Sequence, residues 1–522
     1  MKSAEYHPDE PSGVETPVSQ DDVIRFLSGG GAFGQVPDEH IVTHISHVFL
    51  VGVFAWKLKR AVKLEFLDFT SLEDRRVACE REVEINRRTA PEIYLGVSAI
   101  TLCDTGFEFD GDGKVVEYIV RMNRFDDQTL FNRLYARNDL KETLISDLAE
   151  QIAKLHLSAE WRPEFGGGKS VSHTLQGLVK TLTRFDGDLF STGSVANWAQ
   201  AMEAELERHS RRLDLRRRAG FVRQCHGDLH LSNICLINGR PTPFDAIEFG
   251  DEYSSIDVMY DLAFPVMDLI CARAFGLGNL LLNRYLEMTG DYSGLHVLPL
   301  FMSLRAGVRA MVHALEFQSS HGDTADKIAA QTYFDLAGAF LERSAPVLVA
   351  IGGVSGTGKS TLARRVATSN FSHAGAIVLR SDAVRKHLFH QSALVPLPKG
   401  AYAFRVNKRV FRALCRDAHR ALTSGFSVIV DATFLDGERR AQLEDIAAKR
   451  RIPFCGLWLE ADRDLVMERV SARTSDVSDA DRQVICDQLA RGAGEVTWTR
   501  IDANGSPSEV LSSACSVLQS CF

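Results

Sequence analysis

Apolar and polar positions change their period several times along the chain, and each change predicts a different kind of element. A polar stretch rich in Pro, Ser and Glu over residues 1–20 reads as a flexible segment, followed by a short helical pattern over 21–27. Residues 41–60 alternate around Gly52, as IVTHISHVFLV and then FAWKLKR, and predict a hairpin. A helix should follow, with Ser71 as its cap and Asp74 three residues on, running to about Arg88. Glu82 sits between Ala78, Cys79 and Ile85 at helical spacing, so its carboxylate should face inward and want a cation. Strands are predicted at 93–100 and 115–122 on either side of the turn-rich DGDG.

Beyond that the pattern is mostly helical: 141–158, 174–185, 196–219, 256–289 with a break near Gly276, and 297–343. Two short apolar runs interrupt it, 234–237 and 243–247, and Asn238-Gly239 between them is a hairpin turn signal. At Pro346 the pattern changes again. Strands at 347–351, 376–379, 427–430, 454–459 and 497–501 alternate with helices such as 401–423 and one from Gly437, which predicts a parallel sheet covered on both faces.

Composition narrows the picture. A chain of 522 residues is long for one core, and about two to four domains is the prior. The formal charge of −8 argues against a nucleic-acid binder working through bulk charge, although it leaves a local basic groove open. Ten cysteines without paired metal spacing, and no secretory apolar segment at the start, make a reducing cytoplasm the expected compartment. No run approaches the ~18 apolar residues of a membrane span.

The stretch CHGDLHLSNICLINGRPTPFDAIEF, residues 225–249, carries the first candidate chemistry. Phosphoryl transfer from ATP needs a carboxylate near the acceptor hydroxyl and oxygen ligands holding Mg2+ on the phosphates. Asp228, Asn233 five residues later and Asp245 after the hairpin turn supply that set, with Asp228 as the catalytic carboxylate and the other two as metal ligands. Here the chain resembles the aminoglycoside phosphotransferase and choline kinase group of protein-kinase-like enzymes: HGDLHLSN matches their catalytic loop, and FDAIEF stands where they carry the second metal aspartate. The resemblance implies that a lysine of the second hairpin strand grips the ATP phosphates. Lys57 fits best, paired with Glu82, and Lys59 shares its face, so both stay open. It also suggests that Asp257 and Asp261 brace the loop. Residues 29–36, GGGAFGQV, match a kinase glycine loop, but a helical pattern precedes them and a plain linker fits equally well.

The second candidate site follows the strand at 347–351. Gly353, Ser355, Gly356, Thr357, Gly358, Lys359, Ser360 and Thr361 form a Walker A cradle, strand before and helix after, with Lys359 reaching the outer phosphates and Ser360 on Mg2+. Asp382 and Asp431 follow later strands and should line the cleft at their carboxyl ends, Asp431 as a metal-holding residue. The segment RSDAVR, 380–385, resembles the Asp-x-x-Arg acceptor motif of P-loop kinases of the polynucleotide-kinase, gluconate-kinase and zeta-toxin types. By that resemblance Asp382 activates the acceptor and Arg385 orients it, while Arg469 and Arg473, before a polar loop at 474–480, look like the lid that closes on the phosphates.

Taken whole, the chain resembles bifunctional fusions of an aminoglycoside phosphotransferase with an ATP-binding protein. The resemblance implies an α+β protein-kinase-like bilobal domain over 21–345, with lobes meeting near 125, followed by an α/β P-loop domain over 346–522 with a parallel sheet. The expected activity is transfer of phosphate from ATP, with Mg2+, to small-molecule hydroxyls at two sites, with no membrane and no general nucleic-acid partner. Two alternatives stay open. Only the P-loop half is catalytic, on a small molecule or a nucleic-acid 5′ end, or the protein is an ATP-hydrolysing switch.

Overall fold

Alternating apolar positions build an antiparallel sheet in the first part of the chain. Its strands are Glu39–Val42, Ser46–Val51, Phe54–Lys59, Lys114–Asn123, Tyr94–Cys103 and Gly106–Phe109, in that spatial order. The computed structural model describes residues 18–64, 67–320, 322–369, 371, 374–391, 395–471 and 482–522. The predicted hairpin around Gly52 is two hairpins, because Thr43 and Ser46 close a tight turn that splits the first arm. Phe49, Leu58, Ile100 and Ile119 face inward from this sheet against Val23 and Leu27 of the helix Gln20–Ser28. The glycine-rich residues 29–34 follow that helix rather than a strand, and Phe33 packs on Trp56 with ring centroids 5.4 Å apart. The helix Leu72–Asn86 begins at its Ser71 cap.

Two compact units emerge: Met1–Asp126 with Glu248–Gly250, and Asp127–Ile247 with Asp251–Phe522. The second unit contains the helices Glu142–Ser158, Gly167–Leu182, Ser194–Arg218, Val258–Cys271, Phe275–Thr289, Leu298–Ser319 and Thr324–Ala339, and a short hairpin, Ile234–Ile237 with Arg240–Pro243, that packs against the first of them. Three sequence expectations need correction here. The second hairpin strand stops at Pro243 instead of reaching 247, because Asp245 adopts φ 60°. The helical break lies at Arg273, φ 61°, while Gly276 sits inside the next helix. The span 297–343 is two helices, the second capped by Asp323.

The last part of the chain forms a five-stranded parallel sheet in the order Ile377–Arg380, Val428–Asp431, Leu348–Gly353, Phe454–Glu460, Thr499–Asp502. Its strands are apolar on both sides, as a doubly covered sheet requires. Val349, Ile351 and Leu457 face Leu362, Val366 and Val510, which lie on the helices Lys359–Val366 and Pro507–Cys521. Leu348, Ala350, Ile377 and Val430 face the opposite way, toward Phe411 and Leu414 of the helix Phe404–Thr423, in a core continuous with the helices of 142–339. The edge strand Ile377–Arg380 is also covered by the helix Phe275–Thr289. Asn279 Nδ2 donates to the carbonyls of Ala374 (2.7 Å) and Ala376 (3.0 Å), and Asn283 Oδ1 accepts from Val378 N (2.8 Å).

Candidate active sites

The loop His226-Gly227-Asp228 leaves the strand Val222–Gln224 and is held from below by one buried carboxylate. Asp261, in the first turn of the helix Val258–Cys271, accepts the backbone N–H groups of His226 (3.0 Å) and Gly227 (2.9 Å). His156 Nε2 lies 3.0 Å from the same carboxylate, and its Nδ1 lies 2.9 Å from the Tyr285 hydroxyl. Burial alone would push the Asp261 carboxyl up, but His156, His226 and Arg305 outweigh it and hold it at about 2. Gly227 has φ 88°, and a Cβ there would meet the Tyr253 carbonyl at 2.9 Å, so the loop requires glycine at this point.

Above this brace Asn233 turns its amide toward Asp228, donating to its carbonyl (2.9 Å) and its Oδ2 (3.0 Å). The Asn233 carbonyl oxygen accepts from Phe244 N (3.0 Å), and the His226 carbonyl accepts from Ile247 N (3.0 Å). These two bonds pin the segment that carries Asp245 beside the loop, so the three residues share one end of the hairpin. The Asp228 side chain keeps 38% of its surface exposed, which leaves its carboxylate available to a ligand. His230, His226 and Arg305 overcome the effect of burial and hold that carboxyl below the usual carboxylate range. Asp257, the other suggested brace, instead pairs with Arg216 at 2.8 Å, alongside Asp291 at 2.6 Å.

In the first unit Lys57 Nζ lies 2.8 Å from Glu82 Oε1, and Lys59 Nζ lies 2.5 Å from Glu82 Oε2 and also pairs with Glu248. Burial would raise the Glu82 carboxyl, but the two ammonium groups hold it at about 2. Lys59 is fully buried between two carboxylates, whereas Lys57 is the partly accessible member of the pair.

The P-loop joins the strand Leu348–Gly353 to the helix Lys359–Val366. Gly353, Gly356 and Gly358 all have positive φ, and a Cβ on Gly353 would meet the Leu459 carbonyl at 2.6 Å. Lys359 Nζ donates to the Val354 carbonyl (2.9 Å) across the loop, and the Thr357 hydroxyl donates to the same carbonyl (2.9 Å). Thr361 is exposed in the first turn of the helix. The Ser360 hydroxyl donates to Asp431 Oδ2 at 2.5 Å. Two hard oxygen donors meeting at one point are the donor chemistry that Mg2+ takes, so these residues fit that ion. The edge strand sets Arg380 in register with Asp431, and Asp382 is half-buried in the next turn, so both aspartates lie at carboxyl ends of neighbouring strands.

Other predicted residues are engaged elsewhere. Arg385 donates to the Ala401 carbonyl (2.7 Å) and lies over the Tyr402 ring at 4.6 Å. Arg469 donates to the Ala503 carbonyl (3.0 Å). Arg473 and the loop at 474–480 lie outside the described residues. Sequence reasoning passed over His156, Arg305, His230 and Gln488. Gln488 accepts from Ser355 N (2.9 Å) and donates to the Ser355 hydroxyl (3.1 Å). No local motif marks any of these four, although the HGDLH string did contain His230.

Residues 348–493 match the AAA domain family AAA_33. The uncharacterized protein Rv2004c of Mycobacterium tuberculosis (strain ATCC 25618 / H37Rv) is 30% identical over 470 residues, covering 89% of this chain and 92% of that protein. The chain belongs to the family of Rv2004c. Among solved structures it is similar to a choline/ethanolamine kinase family protein from Mesorhizobium loti, at 13% identity and a TM-score of 0.40, over 62% of this chain and 95% of that one. It is also similar to a gluconokinase from Sinorhizobium meliloti 1021, at 21% identity and a TM-score of 0.26, over 34% of this chain and 94% of that one. No helix among the described residues is long and apolar enough to cross a membrane.

Proposed function

We propose that this protein is a two-site phosphotransferase, with a kinase-like domain over 21–345 and a P-loop domain over 346–522. Each uses ATP and Mg2+ to phosphorylate a hydroxyl of a small molecule in the cytoplasm. The observation that carries the reading is the intact trio of the first site, where Asn233 orients Asp228 and the backbone ties Asp245 alongside. A degenerate binding module has no use for a complete set.

In this reading Asp228, kept ionised and still partly exposed, accepts the proton of the acceptor hydroxyl. Asn233 and Asp245 hold the metal, and Lys57, aligned by Glu82, meets the ATP phosphates. Lys59 is structural. In the second domain the P-loop amides and Lys359 cradle the outer phosphates, Ser360 and Asp431 hold the metal, and Asp382 takes the acceptor proton. Arg385 shapes the acceptor pocket through residues 401–402. Bound Mg2+ supplies charge neutralisation on the transferring phosphoryl group.

Labelled ATP incubated with a metabolite extract tests the reading, using wild type, Asp228→Ala and Lys359→Ala. Each substitution should abolish a different labelled product. If Asp228→Ala leaves every product in place, the first half is not catalytic; free phosphate as the sole product would make the protein a hydrolytic switch.

A further inference from the structure

Asn279, Asn283 and Glu287 recur every four residues and so lie along one face of the helix Phe275–Thr289, which belongs to the kinase-like half. The two asparagines fasten that face to backbone groups of Ala374, Ala376 and Val378 on and beside the edge strand of the P-loop sheet. One turn further on, Glu287 Oε1 lies 3.8 Å from Arg380 Nη1, at the carboxyl end of the same strand. Arg380 Nε in turn lies 3.8 Å from Asp431 Oδ2. All three side chains are more than nine-tenths buried. Asp431 also accepts the Ser360 hydroxyl, so its carboxylate stands between the metal-binding serine and a buried cation.

We propose that Glu287 is a positioning residue for the P-loop metal site, acting through Arg380, so that the kinase-like half sets how strongly the P-loop half holds Mg2+. This rests on the reading that Ser360 and Asp431 bind that ion. A guanidinium beside Asp431 competes with Mg2+ for the same negative charge. Glu287 faces the other side of that guanidinium and draws its charge away from Asp431. Arg284 Nη1 lies 2.6 Å from Glu287 Oε2, which leaves Oε1 directed to Arg380.

The test measures binding of the non-hydrolysable analogue AMPPNP to the full chain by titration calorimetry across a Mg2+ series. Asp245→Ala is the parent, to silence the first site, and Lys359→Ala defines the P-loop signal. Glu287→Gln should raise the Mg2+ needed for half-saturation by about tenfold. Adding Arg380→Gln should bring it back, which a purely structural role would not do. Asn283→Ala, which loosens the same helix without touching charge, should lower the thermal unfolding midpoint and leave the Mg2+ requirement alone. An unchanged Mg2+ requirement in Glu287→Gln, or no relief from Arg380→Gln, overturns the proposal. A parent with no Lys359-dependent AMPPNP binding overturns the functional reading, and the role of Glu287 with it.

Discussion

Lys57 and Lys59 stand two residues apart on one strand face, yet their surroundings give them different tasks. Lys59 balances two buried carboxylates, Glu82 and Glu248, so Lys59→Met strands Glu248 in the interior and leaves Glu82 with Lys57 alone. Breaking a buried pair in this way costs about 3–5 kcal/mol, and urea unfolding should report that loss. Lys57→Met leaves Glu82 still paired with Lys59, so the fold should survive while the Michaelis constant for ATP at the first site rises about tenfold or more. Asp261 offers a test by pH. Its carboxyl is depressed from 3.8 to about 2, so its contribution to stability is complete above the unfolded value and fades as pH falls toward the folded one. Asp261→Asn should therefore cost about 2 kcal/mol near neutral pH, and the gap to wild type should close as pH drops from about 4 to 2. A gap that stays constant through that window would mean the brace works by shape alone.

Among elements, the helix Phe275–Thr289 makes the sharpest prediction. Asn283→Leu leaves Val378 N without its acceptor inside a buried contact, and an orphaned buried group costs about 1–3 kcal/mol. Protease cleavage should then begin in the P-loop half at lower urea than in wild type. Most elements could be read from periodicity, and the P-loop, the HGD loop and the Asn238-Gly239 turn from their motifs. What escaped was set by distant partners. Asp245 ends its strand because its backbone turns to meet the His226 loop, a demand that no apolar pattern encodes. The break at Arg273 rather than Gly276 follows from a left-handed residue other than glycine, which composition rules rarely flag. Period two placed Lys57 and Lys59 on one face, but their ranking needed Glu248, far along the chain. Asn279 and Asn283 looked like ordinary polar helix residues because their partners lie about a hundred positions away.

At the scale of the whole molecule, one apolar core runs from the helices of 142–339 into one face of the parallel sheet. The HGD loop and the P-loop therefore stand on a shared scaffold and are not merely tethered. Among the described residues no sixth strand pairs with Ile377–Arg380; side chains of a helix stand in for one. Expressed alone, residues 346–522 would offer that row of backbone groups to any passing chain, an invitation to self-association. Such a fragment should elute in light scattering as concentration-dependent oligomers, and the asparagine-bearing helix added as a separate peptide should not restore a monomer unless its neighbours come with it. Division of this gene product at its apparent seam would thus yield a sticky remnant rather than a free-standing enzyme, a mechanical reason for the two halves to be inherited together.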